Sequence, residues 1–352
     1  AQKCVNNYGF FIGATEDNIS DLQDAVGSRE NPIAIPGICG IKIFMGVSTG
    51  TLLVSDKTAL EKIFTETAGL IAVHAEDENR MEERRKLIEG RTDVAAHAYY
   101  RDDITALLAT KLSVELAHKT GHRLHILHLT SGIEADYLSD HCSLPSKANS
   151  NPIITTEVLP QHLTFDETDV DAQGVRLQMN PPIRYAQDRE ILWKRLVDGT
   201  IQCIATDHAP HTLEAKSLGF PQAPSGMPGV ETSLPVMLNY VNEGRCSLED
   251  VVRWMSTNVA DCYRMVGKGK LELGYDGDIV LVDMNHSAVV KDENSWTRVG
   301  WNPFRGRELT GWPVLTVVEG VPVFERSEGT GQKGRLLVEP GAVGKPLLME
   351  PW

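Results

Sequence analysis

Short apolar runs recur along the chain, and most are followed by a polar segment with helical spacing. Six of them read as buried parallel strands: Tyr8–Thr15, Gly40–Val47, Gly69–Glu76, Leu124–Thr130, Ile153–Pro160 and Ile201–His208. Helical patterns lie between most of them. One is LLATKLSVELAHKTG, Leu107–Gly121, which closes on a glycine stop. Strand alternating with helix predicts a parallel sheet, either open or closed.

The reactive side chains separate those two possibilities. Lys42, His74, His128, Glu157 and Asp207 fall at the C-terminal ends of five of the six runs. A (β/α)8 barrel builds its site on that rim, whereas an open sheet uses only the crevice where strand order reverses. The pattern therefore predicts a TIM-like (β/α)8 barrel over residues 1–265. Eight strands are needed and six are found, so the first two are expected upstream of residue 1. From 266 to 352 the chain becomes β-rich, with GKLELGYDGDIVLVDMN and WPVLTVVEGVPVFE broken by glycine and proline. This predicts part of a small β-sandwich, whose edges a few strands alone would leave open.

Composition narrows the picture. With 352 residues and 41% hydrophobic content, the chain suits one large α/β domain with an appendage. A formal net charge of −14 argues against nucleic acid or an anionic membrane as partner. No apolar run approaches a membrane span, and no signal-peptide pattern opens the sequence. Cys4, Cys39, Cys142, Cys203, Cys246 and Cys262 are scattered without a CxxC pair, which suits a reducing cytoplasm.

The stretch CIATDHAPH, Cys203–His211, carries the chemical question. An ionised aspartate closing an apolar run is costly unless something pairs with it. His74, His128 and Asp207 each end such a run, and each is an ordinary zinc ligand. Lys42 is out of place among them, because an ammonium has only donors and repels a metal. Carbamylated by CO2, it becomes an anionic carboxylate surrogate able to bridge two metals. Plainer readings exist for each residue alone. A strand-end histidine is commonly hydrogen-bonded structure, and a lone lysine commonly snorkels or meets an acid. Four such residues on four strand ends are harder to explain that way. Glu76 and Asp77 read either as groups orienting His74 or as the acidic start of the next helix. EERRKL reads as a solvated helix face, His122 and His125 as strand or loop residues without function, and His118 and His141 as surface residues.

The motifs GIKIFMGVSTG, VHAEDE, HILHLTS, NPPIR and ATDHAPH resemble the dihydroorotases of the cyclic amidohydrolase group, between Tyr8 and Phe324. KIFM and VHAE are shared with hydantoinases, dihydropyrimidinases and allantoinases. The resemblance implies two zinc ions bridged by carboxylated Lys42, with His74 and His128 on the β metal. Asp207 is implied as α-metal ligand and general base. Arg184 and His211 are implied to hold a substrate carboxylate, and Asn180 to contact a pyrimidine ring. The loop Ala223–Gly229, with Pro224 and Gly226, is implied to line that ring with backbone groups. Ser48, Thr49 and Gly50 fall where the family has a mobile loop.

The activity so implied is reversible hydrolysis of dihydroorotate to carbamoyl aspartate in pyrimidine synthesis. The metals polarise the amide carbonyl and acidify water. Partners would be the small-molecule substrate, a second copy in a homodimer, and other pyrimidine-pathway enzymes. One departure is large: the family's first strand carries an HxH motif, and no HxH precedes His74. The expectation is a chain lacking the segment that supplies two α-metal histidines, with at most one zinc and negligible activity by itself. Two other readings stay open. One is an allantoinase or hydantoinase, and the other an inactive scaffold of the same fold.

Overall fold

The structure, a computed structural model, describes residues 3–48, 52–143, 153–326 and 333–350. All six expected strands are present, each shorter than its apolar run. They are β1 (Phe10–Gly13), β2 (Ile38–Phe44), β3 (Ile71–His74), β4 (Leu124–Leu129), β5 (Ile154–Val158) and β6 (Cys203–Ile204). They form one sheet in chain order, and every neighbouring pair is parallel. Helices Ile19–Val26, Lys57–Glu66, Asp103–Thr120, Gly132–Leu138 and Ala186–Val197 occupy the crossovers. This is the wall of a (β/α) barrel. Among the described residues, β1 and β6 are its two edges.

Register decides which side chains share a face. Gly13, Lys42, Ala72, His125 and Thr155 are successive partners across β1 to β5. Phe44 pairs with His74, and Glu157 with Cys203. Side chains alternate along a strand, so Lys42, His74, His125, Thr155 and Glu157 line one polar face. The opposite face carries Ile41, Ile43, Ile71, Leu124, Ile126 and Ile154, all fully buried. These join one core with the helix residues Leu60, Phe64, Val114 and Ala117. Each such isoleucine contributes about 1.5–3 kcal/mol by leaving water. The apolar face thus holds the sheet together and leaves the other free for chemistry.

The long helix Asp103–Thr120 begins before its apolar pattern does. Asp102 caps it, accepting from the Thr105 N–H at 2.9 Å, and Gly121 ends it in the left-handed region at φ 67°. Beyond residue 265 lies an antiparallel sheet of β7 (Ile279–Val289), β8 (Glu308–Val318), β9 (Val321–Glu325) and β10 (Arg335–Leu336), ordered β10-β9-β8-β7. It is tied to the barrel through helix Ser233–Asn242. Asn242 donates to the carbonyls of Met284 and Thr310. Gly311 lets β8 approach that helix, since a Cβ there would sit 2.6 Å from Leu238 Cβ. None of the described helices is long and apolar enough to cross a membrane. The six cysteines are free thiols.

Candidate active site

His74 closes β3, and its two ring nitrogens have different partners. Nε2 lies 2.8 Å from Glu76 Oε2, and Nδ1 lies 3.1 Å from His128 Nε2. A carboxylate only accepts, so the proton sits on Nε2 and Nδ1 presents a lone pair. Glu76 is fully buried and paired with the Arg101 guanidinium. Arg101 also donates to the Val47 carbonyl and the Tyr100 hydroxyl. Burial works to raise the Glu76 carboxyl, but Arg101 and His74 outweigh it and hold it at about 2. Asp77, by contrast, caps helix Glu78–Arg85 through the Arg80 N–H at 2.9 Å. The two acids that the sequence left between roles therefore divide them.

His128 reaches the same point by a backbone irregularity. In the run LHILHL, His125 and His128 are three apart and would face opposite ways in a regular strand. The β4–β5 register shifts between Ile126 and Leu129, and His128 takes φ 37°. Asp207 likewise takes φ 41° beyond β6. The left-handed region costs a non-glycine residue on the order of 1 kcal/mol or more, and such residues cluster at functional sites. His128 Nδ1 is buried without a hydrogen-bond partner among the described residues. Burial, with His74 and Lys42 close by, pushes the His128 imidazole well down, and burial also lowers His74. Both rings are neutral, the form that binds a metal.

Lys42, Asp207 and Glu157 form one electrostatic group on this face. Burial pulls the Lys42 ammonium down to about 8, against the pull of Asp207 and Glu157. Burial raises the Asp207 carboxyl to about 6; Lys42 opposes that and Glu157 adds to it. Lys42 Nζ also lies 4.4 Å from the centre of the Phe44 ring.

The residues can be tested against a divalent metal. Two nitrogens bound tetrahedrally at about 2.0–2.1 Å stand roughly 3.3 Å apart. The 3.1 Å between His74 and His128 is close to that, and the carboxylate behind His74 is the usual support for a ligating imidazole. Among the described residues, however, no three His, Cys, Asp or Glu side chains come close enough to form a site by themselves. The histidine pair needs a donor of another kind. Lys42 as an ammonium would repel a cation, whereas as a carbamate it would supply anionic oxygen. The donor set fits a metal on that condition.

One contributor escaped the sequence reading, and Glu157, read there only as a strand-end acid, gains a partner. His125 is buried, with Nδ1 on Thr155 Oγ1 at 2.8 Å and Nε2 on Glu157 Oε2 at 3.1 Å. Glu157 Oε1 accepts from the His128 N–H at 3.3 Å, steadying the irregular backbone. The expectation that His125 is idle is therefore corrected: it sits on the polar face and orients Glu157. Strict alternation through β4 and β5 was the available signal.

The remaining candidates lie around this row. Asn180 Oδ1 accepts from His97 Nε2 at 2.9 Å, and the same N–H reaches the Met179 carbonyl. Burial, helped by Arg101, keeps His97 neutral with a pKa of about 3. Arg184 donates Nε to Thr130 Oγ1 at 2.8 Å and Nη1 to the Arg101 carbonyl at 2.7 Å. Its Nη2 is buried without an acceptor among the described residues. His211 Nε2 donates to the Ser225 carbonyl at 3.1 Å. Among the described residues no hydrogen bond joins Arg184 to His211. Gly226 has φ 135°, and a Cβ there would meet the Ala209 carbonyl oxygen at 2.3 Å. The Pro224 carbonyl accepts from Lys216. Ser48 is reached by Asn180 Nδ2 at 3.4 Å, while Thr49 and Gly50 lie outside the described residues.

Residues 54–323 match the amidohydrolase family. The chain belongs to that family. It is 32% identical over 298 residues to the dihydroorotase of Methanosarcina mazei, covering 84% of this chain and 65% of that protein. It is also 32% identical to the allantoinase of Streptomyces avermitilis over 343 residues, covering 96% and 73%. The L-hydantoinase (dihydropyrimidinase) of Arthrobacter aurescens superposes with a TM-score of 0.85 at 27% identity, over 98% of this chain and 74% of that one. The chain thus spans 65% of the length of the Methanosarcina relative. An amidohydrolase-family member of this kind has the TIM-like metallo-dependent hydrolase fold, with its parallel sheet and a separate antiparallel one.

Proposed function

We propose that this chain carries most of the active site of a zinc-dependent dihydroorotase, which opens the cyclic amide of dihydroorotate to carbamoyl aspartate. The observation that carries the reading is the convergence of two neutral, facing imidazoles with the Lys42–Asp207 pair on one face of the sheet. His74, His128 and carboxylated Lys42 would hold the metal. A divalent metal there supplies Lewis-acid polarisation of the amide carbonyl and acidifies water.

The chain's own groups do the rest. Asp207, lifted toward neutrality by burial, is matched to take a proton from water and return it to the leaving nitrogen. Glu157 holds the His128 backbone. The Nη2 amino group of Arg184 is uncommitted among the described residues and supplies the donors a substrate carboxylate needs, and the other side of that anion falls to His211. Asn180, fixed by His97, and the backbone at Pro224 and Gly226 would face the ring.

A second reading is favoured by one observation. The allantoinase and hydantoinase relatives align with 96% and 98% of this chain. The uncommitted Arg184 donor supports an anionic ring over a neutral hydantoin. The test is turnover by the full gene product on dihydroorotate, allantoin and hydantoin. The expected kcat/KM for dihydroorotate exceeds the others by about 100-fold or more, as a buried polar donor discriminates. The reverse order supports the second reading, and no turnover of any of them supports a non-catalytic member.

A further inference from the structure

Lys216 is the one lysine among the largest fully buried side chains, with 1% of its surface exposed. Among the described residues no carboxylate shifts it, and burial pulls its pKa down to about 7. A lysine so buried ordinarily neutralises or finds an acid. This one instead donates to two backbone carbonyls, Gln178 O at 2.8 Å and Pro224 O at 2.9 Å.

Those carbonyls belong to two segments of the rim, and Lys216 sits on a third. It ends the short helix Leu213–Lys216, whose cap Thr212 directly follows His211. Gln178 lies two residues before Asn180. Its carbonyl takes a second hydrogen bond from the Gly226 N–H at 2.9 Å, filling both lone pairs. The Gln178 side chain reaches the same loop, donating to Ala223 O at 2.7 Å and Ser225 Oγ at 3.2 Å. The Ser225 carbonyl in turn accepts from His211. The 223–226 loop is therefore stapled to the segment carrying Asn180, and the Lys216 amino group bridges the two. The amine donates in either protonation state, and in its protonated form these hydrogen bonds are roughly twice as strong as neutral ones.

We propose that Lys216 is a positioning residue of the substrate site: it fixes the 223–226 loop against Gln178, and so sets the distance between the loop backbone and Asn180 across the bound ring. The inference rests on the proposed cyclic-amide site for its kinetic consequence, but not for its structural one. Lys216 touches none of the candidate metal ligands. Its loss therefore weakens substrate binding and leaves the chemical step and the metal alone.

Lys216→Met has nearly the same volume and no donor. Replacing a buried charge by an apolar side chain is often neutral or stabilising, so this variant separates positioning from mere support of the fold. In the full gene product the expected result is a KM for the preferred cyclic amide raised about tenfold or more, with kcat within about twofold and zinc content unchanged. Hydrogen exchange of the Gly226 amide should quicken by a similar factor, while the amides of β3 and β4 keep their protection. Lys216→Ala should behave alike, and propylammonium, which replaces the atoms removed, should restore KM and Gly226 protection where 1-propanol does not. A fall in kcat at constant KM, unchanged Gly226 exchange, or an equal rescue by propanol would overturn the proposal. If the protein turns over no cyclic amide, the proposed function fails, and Gly226 exchange with propylammonium rescue still decides for or against the staple.

Discussion

His74 Nδ1 and His128 Nε2 face each other at 3.1 Å, and the two rings arrive there by unlike means. His74 is aimed by a buried carboxylate behind it, whereas His128 is aimed by a register shift and a positive φ. The 352-residue polypeptide should accordingly bind about one zinc per chain after dialysis, and either His74→Ala or His128→Ala should release it, because one remaining imidazole leaves too few donors. Metal analysis of the three proteins gives the answer. Undiminished zinc in both variants would place the metal elsewhere.

Glu76→Gln probes the group behind the pair. The substitution keeps the shape but removes the charge that fixes the His74 proton, and it strands the buried Arg101 guanidinium. Zinc affinity should fall about 10–100-fold in competition with a chromophoric chelator. Stability should fall by about 3 kcal/mol in urea, the scale of breaking a buried ion pair. Equal affinity in the variant would mean that Glu76 serves only Arg101.

Much of this arrangement was legible in the sequence, and the parts that were not have physical reasons. The six apolar runs located the strands because a parallel strand buried on its outer face must be apolar there, as Ile41, Ile43, Ile71 and Ile126 are. His74 was found because it ends such a run. His125 was missed because regular alternation in LHILHL turns it away from His128, and only the register shift puts both on one side. Glu76 and Asp77 could not be separated, since adjacent acids before a helix look alike until one is seen to cap Arg80 N–H and the other to meet His74. Lys216 and His97 carry no local signature. Each lies in a short helix, and its meaning comes from segments far along the chain, Gln178 and Pro224 for one and Asn180 for the other.

In the proposed site Lys42, as a carbamate, would be the anionic donor to the metal. In the full gene product Lys42→Ala should lower turnover by on the order of 100-fold or more, since the anionic donor for the metal is gone. A short carboxylic acid such as propionate should restore part of the loss by occupying the vacated space, and propylamine should not. Rescue by the amine instead would show that Lys42 works as an ammonium.

Glu134 supplies a pH signature independent of metal. It is buried, accepts from the Thr110 hydroxyl, and burial raises its carboxyl to about 7 from an ordinary 4.5. Between those values the folded protein holds a proton that the unfolded chain has lost. Stability contributed by the protonated form is therefore present below about pH 4.5 and lost as pH rises to about 7, by on the order of 3 kcal/mol. Glu134→Gln should remove this slope. Urea unfolding of both proteins at about pH 5 and about pH 7.5 measures it, the variant showing the smaller difference. Parallel changes in the two proteins would assign the slope to other groups.

A metal held at His74 and His128 should serve the opening of an anionic cyclic amide. Zinc content and dihydroorotate turnover measured on one preparation of the full gene product, before and after chelation, test it most directly. Metal and activity should be lost together and return together when zinc is restored. Turnover that persists in metal-free protein, or zinc-loaded protein that does not convert dihydroorotate, would contradict the claim.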